Sequence, residues 1–539
     1  MNSTPALSRA YEWCFQAQKY SNLGHKVHEW FKLGLCDGFE VRRARESELI
    51  NKYKSQTALP PVKGEECENL VANFLRSIKE SVDSFFGLNA NKKLKNFPRD
   101  YIITVPALWD HAVQDKTLRC AERAGMGDGS QLQVTSEPEA ACLYATQTMV
   151  RLDENETYVI CDADGGTVDV ASYTVKFLPT EPLCRKLEMA ATPSGGLYGS
   201  IFLNRIFEKY LQEKFADYPG WEPSFIEESL RKFEEVIKPE FTGENVEDAS
   251  VWIEGLVPSR RHGVKKNLFT FTTAELRENV FDEVITKVQG LVRDQISHTK
   301  GKVNSVILAG RFGRNLYLKK KIEETDNVIK DGIIVEQIDN SCTAIARDAL
   351  AAGFAGMGII GHDDGSFNVI STMVLSRVAG RNYGTKAYHD FREGRDPESR
   401  RQVEIREDGN KIKMIQWFTR KGASIRDGEP MSFEFRQLRR VRPGIPAHKA
   451  CKPVIHIYAC EQEIPMKYED DENVSELVSF QLDLHGLNIP TIQIGSTEFH
   501  QATFTIKMSL NSASLSFCGV YVKGTPDEKR FPAEQVQFQ

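Results

Sequence analysis

No stretch of this chain is long and apolar enough to cross a bilayer. The least polar run, ALAAGFAGMGIIG at 349–361, is short and rich in small residues, so it reads as a packed helix running into a flexible exit. The opening residues, MNSTPALSRAYEW, lack the apolar core of a secretion signal. Positive charge is not in excess. Lysine and arginine number 69 against 75 acidic residues, a formal net charge of −6, so no global field favours nucleic acid or an anionic membrane. The 11 cysteines stand singly, with no C-x-x-C, which excludes a disulfide framework and the usual zinc spacing and leaves reduced thiols in a cytosolic or nuclear setting. The 11 histidines are equally dispersed; His25 and His28 have no third ligand near them in sequence. There is no G-x-S-x-G, no Cys–His signature and no repeat of solenoid period. What is there is ordinary globular composition, 41% hydrophobic and 27% charged. At 539 residues the chain is too long for one core and predicts two or three domains.

Residues 1–60 are irregular, with a short apolar cluster at Trp30, Phe31 and Leu33 and a break at LPPVKG. From Cys67 to Phe86 apolar residues recur at helical spacing. YIITVPALW (101–109) reads as a buried strand ended by Pro106, followed by a helix that stops at Gly125. QLQVTSEPEAACLYA reads as a strand, a turn at Glu137-Pro138 and a helix of small residues. GGLYGS (195–200) opens a helix with Leu203, Ile206, Phe207, Tyr210 and Leu211 on one face. Thr272 and Glu275 have the spacing of a capping box, and SVILAGRFGRNLYLKKKIEE reads as strand, glycine turn, helix. Strands alternating with helices predict an α/β domain with a largely parallel sheet. Beyond residue 360 the pattern turns β-rich. ATFTIKMSL (502–510) alternates strictly, as antiparallel strands with a polar face do. RQLRRVRPG, with Arg436, Arg439, Arg440 and Arg442, reads as a solvated linker, since acidic residues flank it and no aromatics interleave it. The 502–510 strand reads as an ordinary sheet face rather than an edge that captures peptides.

The chemistry gathers at the glycine turns. In CDADGGTVDV an apolar strand runs into Asp162, then Gly165, Gly166 and Thr167, then a second strand carrying Asp169. A tight turn can bind phosphate through backbone N–H groups when side chains leave the approach open. A carboxylate at the strand end can hold a magnesium-bound water, and a threonine hydroxyl can orient a nucleophile. A hairpin rich in good turn residues is the plain alternative. SEPEAA, GGLYGS and LAGRFGR each stand before a helix, where free N–H groups and partial positive charge suit anions.

TVPALW, SEPEAA, DADGGTVDV, GGLYGS and ILAGRFGRNLYL stand in the order found in the seventy-kilodalton heat-shock chaperone family, and the chain resembles its divergent, short-tailed branch. WFKLGL near the start and MIQWFTRKG at 414–422 resemble that branch too. The resemblance implies an actin-like ATPase fold, two lobes around a cleft, with ATP and magnesium as cofactors. It places Asp162 near the magnesium water, Gly165, Gly166 and Thr167 in the second phosphate loop, and Glu137 as the interlobe acid beside the metal. Pro106 resembles the proline that switches between lobes, and Gly199 a ribose- and phosphate-side glycine. Glu235 and Lys238 resemble the adenosine-side helix, and Gly310 the first glycine of the adenosine loop.

The family's first phosphate hairpin, D-x-G-T-T, has no counterpart in residues 1–60, and no lysine matches the one usually assigned a catalytic role. Asp164 stands where the second loop has its first glycine, bringing negative charge toward phosphates. At about 4 Å, like charges repel by about 1 kcal/mol in water and about 4 at an intermediate dielectric. Arg311 replaces the second glycine of the adenosine loop, Pro239 follows Lys238 where an arginine often packs on adenine, and Asp348 replaces a glycine between close helices.

The reading is therefore an α/β, actin-like ATPase domain over 1–360, lacking its first phosphate hairpin, and a β-rich domain over 361–539. The expected function is a cytoplasmic, chaperone-type protein with weak or absent ATP and magnesium binding. Its partners are proteins, not nucleic acid or membrane. The alternative is an active ATP-binding chaperone ATPase whose N-terminal phosphate loop is missing from this sequence. A small-molecule kinase on the same fold finds no substrate-hydroxyl base motif.

Overall fold

A computed structural model describes residues 62–89, 98–148, 153–177, 184–244, 248–338, 371–402, 410–511 and 514–521, apart from a few single positions. It also describes the short strands 359–361, 367–369 and 529–532, and pieces before residue 62, among them 27–28, 31–36, 49 and 52–53. Asp348 lies outside the described residues. The chain forms two compact units, one of residues 1–172 and 194–372, the other of 173–193 and 373–539. The division differs from a linear cut at 360. The outer part of a long hairpin belongs with the second unit because it neighbours the strand Ser371–Val378 in the sheet.

In the first unit, β1 (Tyr101–Val105) and β2 (Leu132–Ser136) pair in parallel. The helices Gly64–Asn89 and His111–Arg123 cover them through Leu75, Leu118 and Ala121, with Ala124 just beyond the second helix. Only Val105 of β1 is fully buried, so this strand is more open than its apolar sequence predicts. The larger, seven-stranded sheet starts with β10 (Ile334–Gln337), β9 (Val303–Ala309) and β3 (Thr157–Ala163), followed by β4 (Val168–Phe177) and β5 (Cys184–Gly196), whose residues 173–193 belong to the second unit. β10, β9 and β3 are parallel, as βαβ alternation requires. Every residue of β3 is buried, which explains its continuous apolar run.

A second layer is built on aromatics. Phe202, Leu203, Ile206, Phe207 and Leu211 of the helix Ile201–Lys214 are buried at helical spacing. Phe207 stacks on Phe233 at 4.2 Å and Phe241 on Phe281 at 4.0 Å. Such pairs add about 0.5–1.5 kcal/mol each beyond area burial. The three-stranded sheet of β6 (Ala249–Trp252), β7 (Val264–Lys265) and β8 (Leu268–Phe271) closes this core, with Phe269 and Phe271 pointing in. The capping box forms as its spacing predicts: the Thr272 side chain accepts the Glu275 N–H, and the Glu275 carboxylate accepts the Thr272 N–H. The helix that follows, Asp282–His298, is tied to the hairpin by buried polar contacts. Gln295 Nε2 donates to Ser172 Oγ at 2.9 Å, and Ser194 Oγ donates to Gln295 Oε1 at 2.8 Å.

The second unit is β-rich, as its alternation predicts. One five-stranded sheet includes Asn382–Asp390, Lys411–Thr419, Val454–Cys460 and Val474–Gln481. In another, Thr497–Asn511 pairs with Met431–Arg440 on one side and Ser514–Tyr521 on the other. The strand around 502–510 is thus internal and offers no edge. Arg436, Arg439 and Arg440 stand exposed on a paired strand, not in a linker. Their segment alternates with Phe433 and Phe435, and its backbone hydrogen bonds go to the neighbouring strand.

Candidate functional site

Two glycine turns meet at the end of β3. Residues 164–167 close on themselves, with Asp164 N–H donating to Thr167 O at 3.0 Å. The GGLYGS turn lies against this loop: the N–H groups of Gly199, Ser200 and Ile201 donate to the carbonyls of Gly166, Asp164 and Gly165 at 3.3, 3.0 and 3.1 Å. These bonds use N–H groups at the start of the helix Ile201–Lys214, which would otherwise be open to an anion. A Cβ at Gly199 would overlap the Gly165 carbonyl, so glycine is what lets the turns touch. Gly165 and Gly166 are different: a Cβ on either meets nothing within 4 Å.

The third turn closes from the other side. Gly310 has φ +77°, and a Cβ there would overlap the Ala163 carbonyl and Asp162 Oδ1. The turn is therefore held close to the end of β3. The next residue, Arg311, donates its backbone N–H to Asp164 Oδ1 at 2.9 Å. Asp164 binds across to the neighbouring turn, so its carboxyl occupies an N–H in this region.

Three acidic side chains associated with these turns are buried. Asp162 is 2% exposed, and Asp169 and Glu137 are buried with it. Asp162 Oδ1 makes no hydrogen bond among the described residues. Burial, then Glu137, Asp164 and Asp169, push its carboxyl well above the usual range, opposed by Lys32. Glu137 is the first residue of the helix Glu137–Thr148, which follows β2 directly without the expected intervening turn; Pro138 suits this first helical turn. The Lys32 Nζ lies 2.7 Å from Glu137 Oε1 and 5.1 Å from the centre of the Trp109 ring. The Lys32 side chain is 45% exposed; desolvation by its surroundings disfavours the ammonium, but Glu137, Asp169 and Asp164 outweigh it and raise its pKa.

Lys32 is the residue sequence reasoning missed. Its signal was a lysine set between Phe31 and Leu33 inside an apolar cluster. That cluster forms the turn Phe31–Leu35, pinned to the helix Gly64–Asn89 by Cys67 Sγ donating to Phe31 O at 2.8 Å.

Of the two residues that the resemblance sets on an adenosine-side helix, Lys238 is buried and pairs with Glu234, while Glu235 is exposed. Lys238 Nζ also donates to Asn204 Oδ1 at 3.0 Å, and Asn204 Nδ2 to Glu234 Oε2 at 2.7 Å. Asn315, which caps the helix Leu316–Glu323, donates to the Lys238 carbonyl at 2.9 Å. The positive charge of Arg311 lowers the pKa of both Glu234 and Lys238. Glu234 stands four positions before Lys238, a spacing that itself predicts the pair.

The resemblance implies magnesium beside Asp162. The side chains do not fit an ion held directly by protein. Among the described residues no three His, Cys, Asp or Glu side chains gather as metal ligands, and an ammonium already sits on Glu137.

No protein-family model matches the chain. It is similar to "Chaperone protein HscA homolog" of Acinetobacter baylyi, 36% identical over 85 residues, which are 16% of this chain and 13% of that protein. It is 24% identical over 203 residues to "Heat shock 70 kDa protein 12A" of Homo sapiens, covering 28% of this chain and 29% of that one. It is 26% identical over 241 residues to "Chaperone protein DnaK" of Deinococcus radiodurans, covering 44% and 36%. The chain thus spans well under half the length of these relatives. These similarities, with the mixed α/β architecture, relate the chain to the seventy-kilodalton heat-shock chaperones and their actin-like ATPase fold.

Proposed function

We propose that this chain is a chaperone-type protein that acts through contacts with other proteins, on an actin-like ATPase scaffold whose nucleotide chemistry is impaired. The observation that carries this reading is Asp164, which sets a carboxyl in the phosphate loop and seats it on the Arg311 N–H. An incoming phosphate would have to displace an internal anion and accept its charge. The cytoplasm is the expected setting. A net charge of −6 argues against nucleic acid, and among the described residues no helix is long and apolar enough to cross a membrane.

The test is a thermal-shift titration of the native chain with magnesium and ATP. A ligand that binds only the folded state adds about 2.7 kcal/mol at one hundred times its dissociation constant. Impaired binding predicts no shift at millimolar ATP, and a saturating shift would overturn it.

A second reading is an active ATPase of chaperone type. Two observations favour it: the open space before Gly165 and Gly166, and the unpartnered Asp162 Oδ1. It predicts phosphate release from ATP that Asp162→Asn abolishes.

A further inference from the structure

We propose that Ser259 is a nucleophile activated by His262, with Asp217 as the positioning residue, and that this trio cleaves small carboxylic esters through an acyl group carried on Ser259. The trio lies at the connection between β6 and β7, away in sequence from the glycine turns, and it goes beyond the nucleotide-cleft reading.

The three side chains form one line of contacts. His262 Nε2 lies 2.8 Å from Asp217 Oδ1, and His262 Nδ1 lies 2.8 Å from Ser259 Oγ. An ionised carboxylate only accepts, so in the neutral imidazole Nε2 carries the proton and donates to Asp217. Nδ1 is then the acceptor, and the Ser259 hydroxyl donates to it. A base that faces a hydroxyl, held through its other nitrogen by an acid, is what makes a serine nucleophilic. The His262 contact and then Arg261, 2.5 Å away, hold the Asp217 carboxyl below its ordinary range against desolvation.

The imidazole is fixed in place. His262 is 6% exposed; Phe215 stacks on its ring with centres 5.9 Å apart, and Tyr218 meets it edge-on at 5.2 Å. The Tyr218 hydroxyl donates to the Val257 carbonyl, which ties the segment after the helix Ile201–Lys214 to the chain just before Ser259. Ser259 N–H donates to Val264 O at 3.0 Å and Val264 N–H to Ser259 O at 2.9 Å, so the turn 260–263 is closed at its base. Ser259 is half-buried beside the exposed Arg260 and Arg261, and its hydroxyl is open to a reagent from solvent. The backbone N–H groups of Arg260 and Arg261 donate to nothing among the described residues, so they remain as donors for a developing oxyanion.

In the first step Ser259 Oγ bonds to the ester carbonyl carbon and its proton passes to His262 Nδ1. The bond from that carbon to the alcohol oxygen breaks, and the alcohol leaves with the proton from Nδ1. In the second step a water oxygen bonds to the acyl carbon and gives a proton to Nδ1. The bond to Ser259 Oγ breaks, Oγ takes the proton back, and the carboxylic acid departs.

The test is labelling of the full chain with a fluorophosphonate, which bonds to serine oxygen with loss of fluoride, alongside release of p-nitrophenol from p-nitrophenyl acetate. Peptide mass spectrometry locates the label. Native protein should label at Ser259 about a hundredfold faster than urea-unfolded protein, the size of a general-base contribution. Ser259→Ala should lose both the label and the ester cleavage, and His262→Gln should fall to the unfolded rate. His262→Phe, which keeps the aromatic packing, replaces His262→Gln if that variant does not fold. Asp217→Ala should slow labelling about tenfold or more in protein that denaturation shows to be folded, and Asp217→Glu should recover part of the rate. A serine that merely clasps the turn labels no faster in the native than in the unfolded chain, and that result would overturn the proposal. Ester cleavage that survives Ser259→Ala would overturn it as well, and native labelling by folded Asp217→Ala would overturn the positioning role. A native chain that binds ATP bears on the impaired-cleft reading alone and leaves these outcomes unchanged.

Discussion

Asp164 Oδ1 accepts the backbone N–H of Arg311 at 2.9 Å, joining two glycine turns that lie 147 positions apart in sequence. The bond lets an acid set in a glycine turn act as a strut between that turn and its neighbour. The same atom that would repel a phosphate holds the loop in shape.

Asp164→Gly removes the strut and the charge together. Without ligand, the variant should lose about 1 kcal/mol of stability, read by chemical denaturation. With millimolar magnesium and ATP it should gain a rise in melting temperature that the native chain lacks. A folded variant that still ignores ATP would count against the acid as the block.

Gly199 and Gly165 face each other yet should respond differently. A Cβ at 199 overlaps the Gly165 carbonyl, so Gly199→Ala must push the two turns apart, at a cost of about 1–3 kcal/mol. Gly165→Ala puts a Cβ into open space and should change stability by about 0.5 kcal/mol or less. Equal denaturation midpoints for the two variants would show that the turns are not in contact.

The Glu234–Lys238 pair sets a pH dependence. Burial pushes the Glu234 carboxyl up, but Lys238, Asn204 and Arg311 outweigh it and hold it below its ordinary 4.5. The folded state therefore binds fewer protons than the unfolded state in that range, and stability falls as pH falls through it. The stability gap between the native chain and Glu234→Gln should be widest near neutrality and should narrow in acid. A gap that is constant with pH would mean the pair contributes no charge-dependent stability.

The cysteines should separate by burial. Burial, then Glu68, pushes the Cys120 thiol up to about 11, and burial raises Cys161 as well. Cys518 is half-buried, whereas the other described cysteines are buried. Among these, a thiol reagent applied to the folded protein in mildly alkaline buffer should label Cys518 first and leave Cys120 untouched. Equal labelling rates under native conditions would contradict the packing around Cys120.

Much of the architecture was legible in the sequence because it rests on short-range pattern. The spacing of Leu203, Ile206, Phe207 and Leu211 placed one helix face, and the alternation of Phe504, Ile506 and Met508 placed one strand face. The site was legible only in its backbone parts: Asp162 at the strand end, and the glycines of the three turns. The basic segment at 436–440 was misread as a linker, since nothing local reveals that its backbone pairs residue by residue with 499–503.

The sequence by itself determined where helices and strands form and which turns need glycine, since those follow from side-chain period and backbone sterics within a few residues. Only the tertiary structure decided that Lys32 meets Glu137, 105 positions away, and that Asp164 binds Arg311 rather than solvent. The physical reason is that electrostatic and hydrogen-bond partners are chosen by distance in space. That distance exists only after the apolar faces have packed and brought β3, the three turns and the Phe31–Leu35 segment to one place.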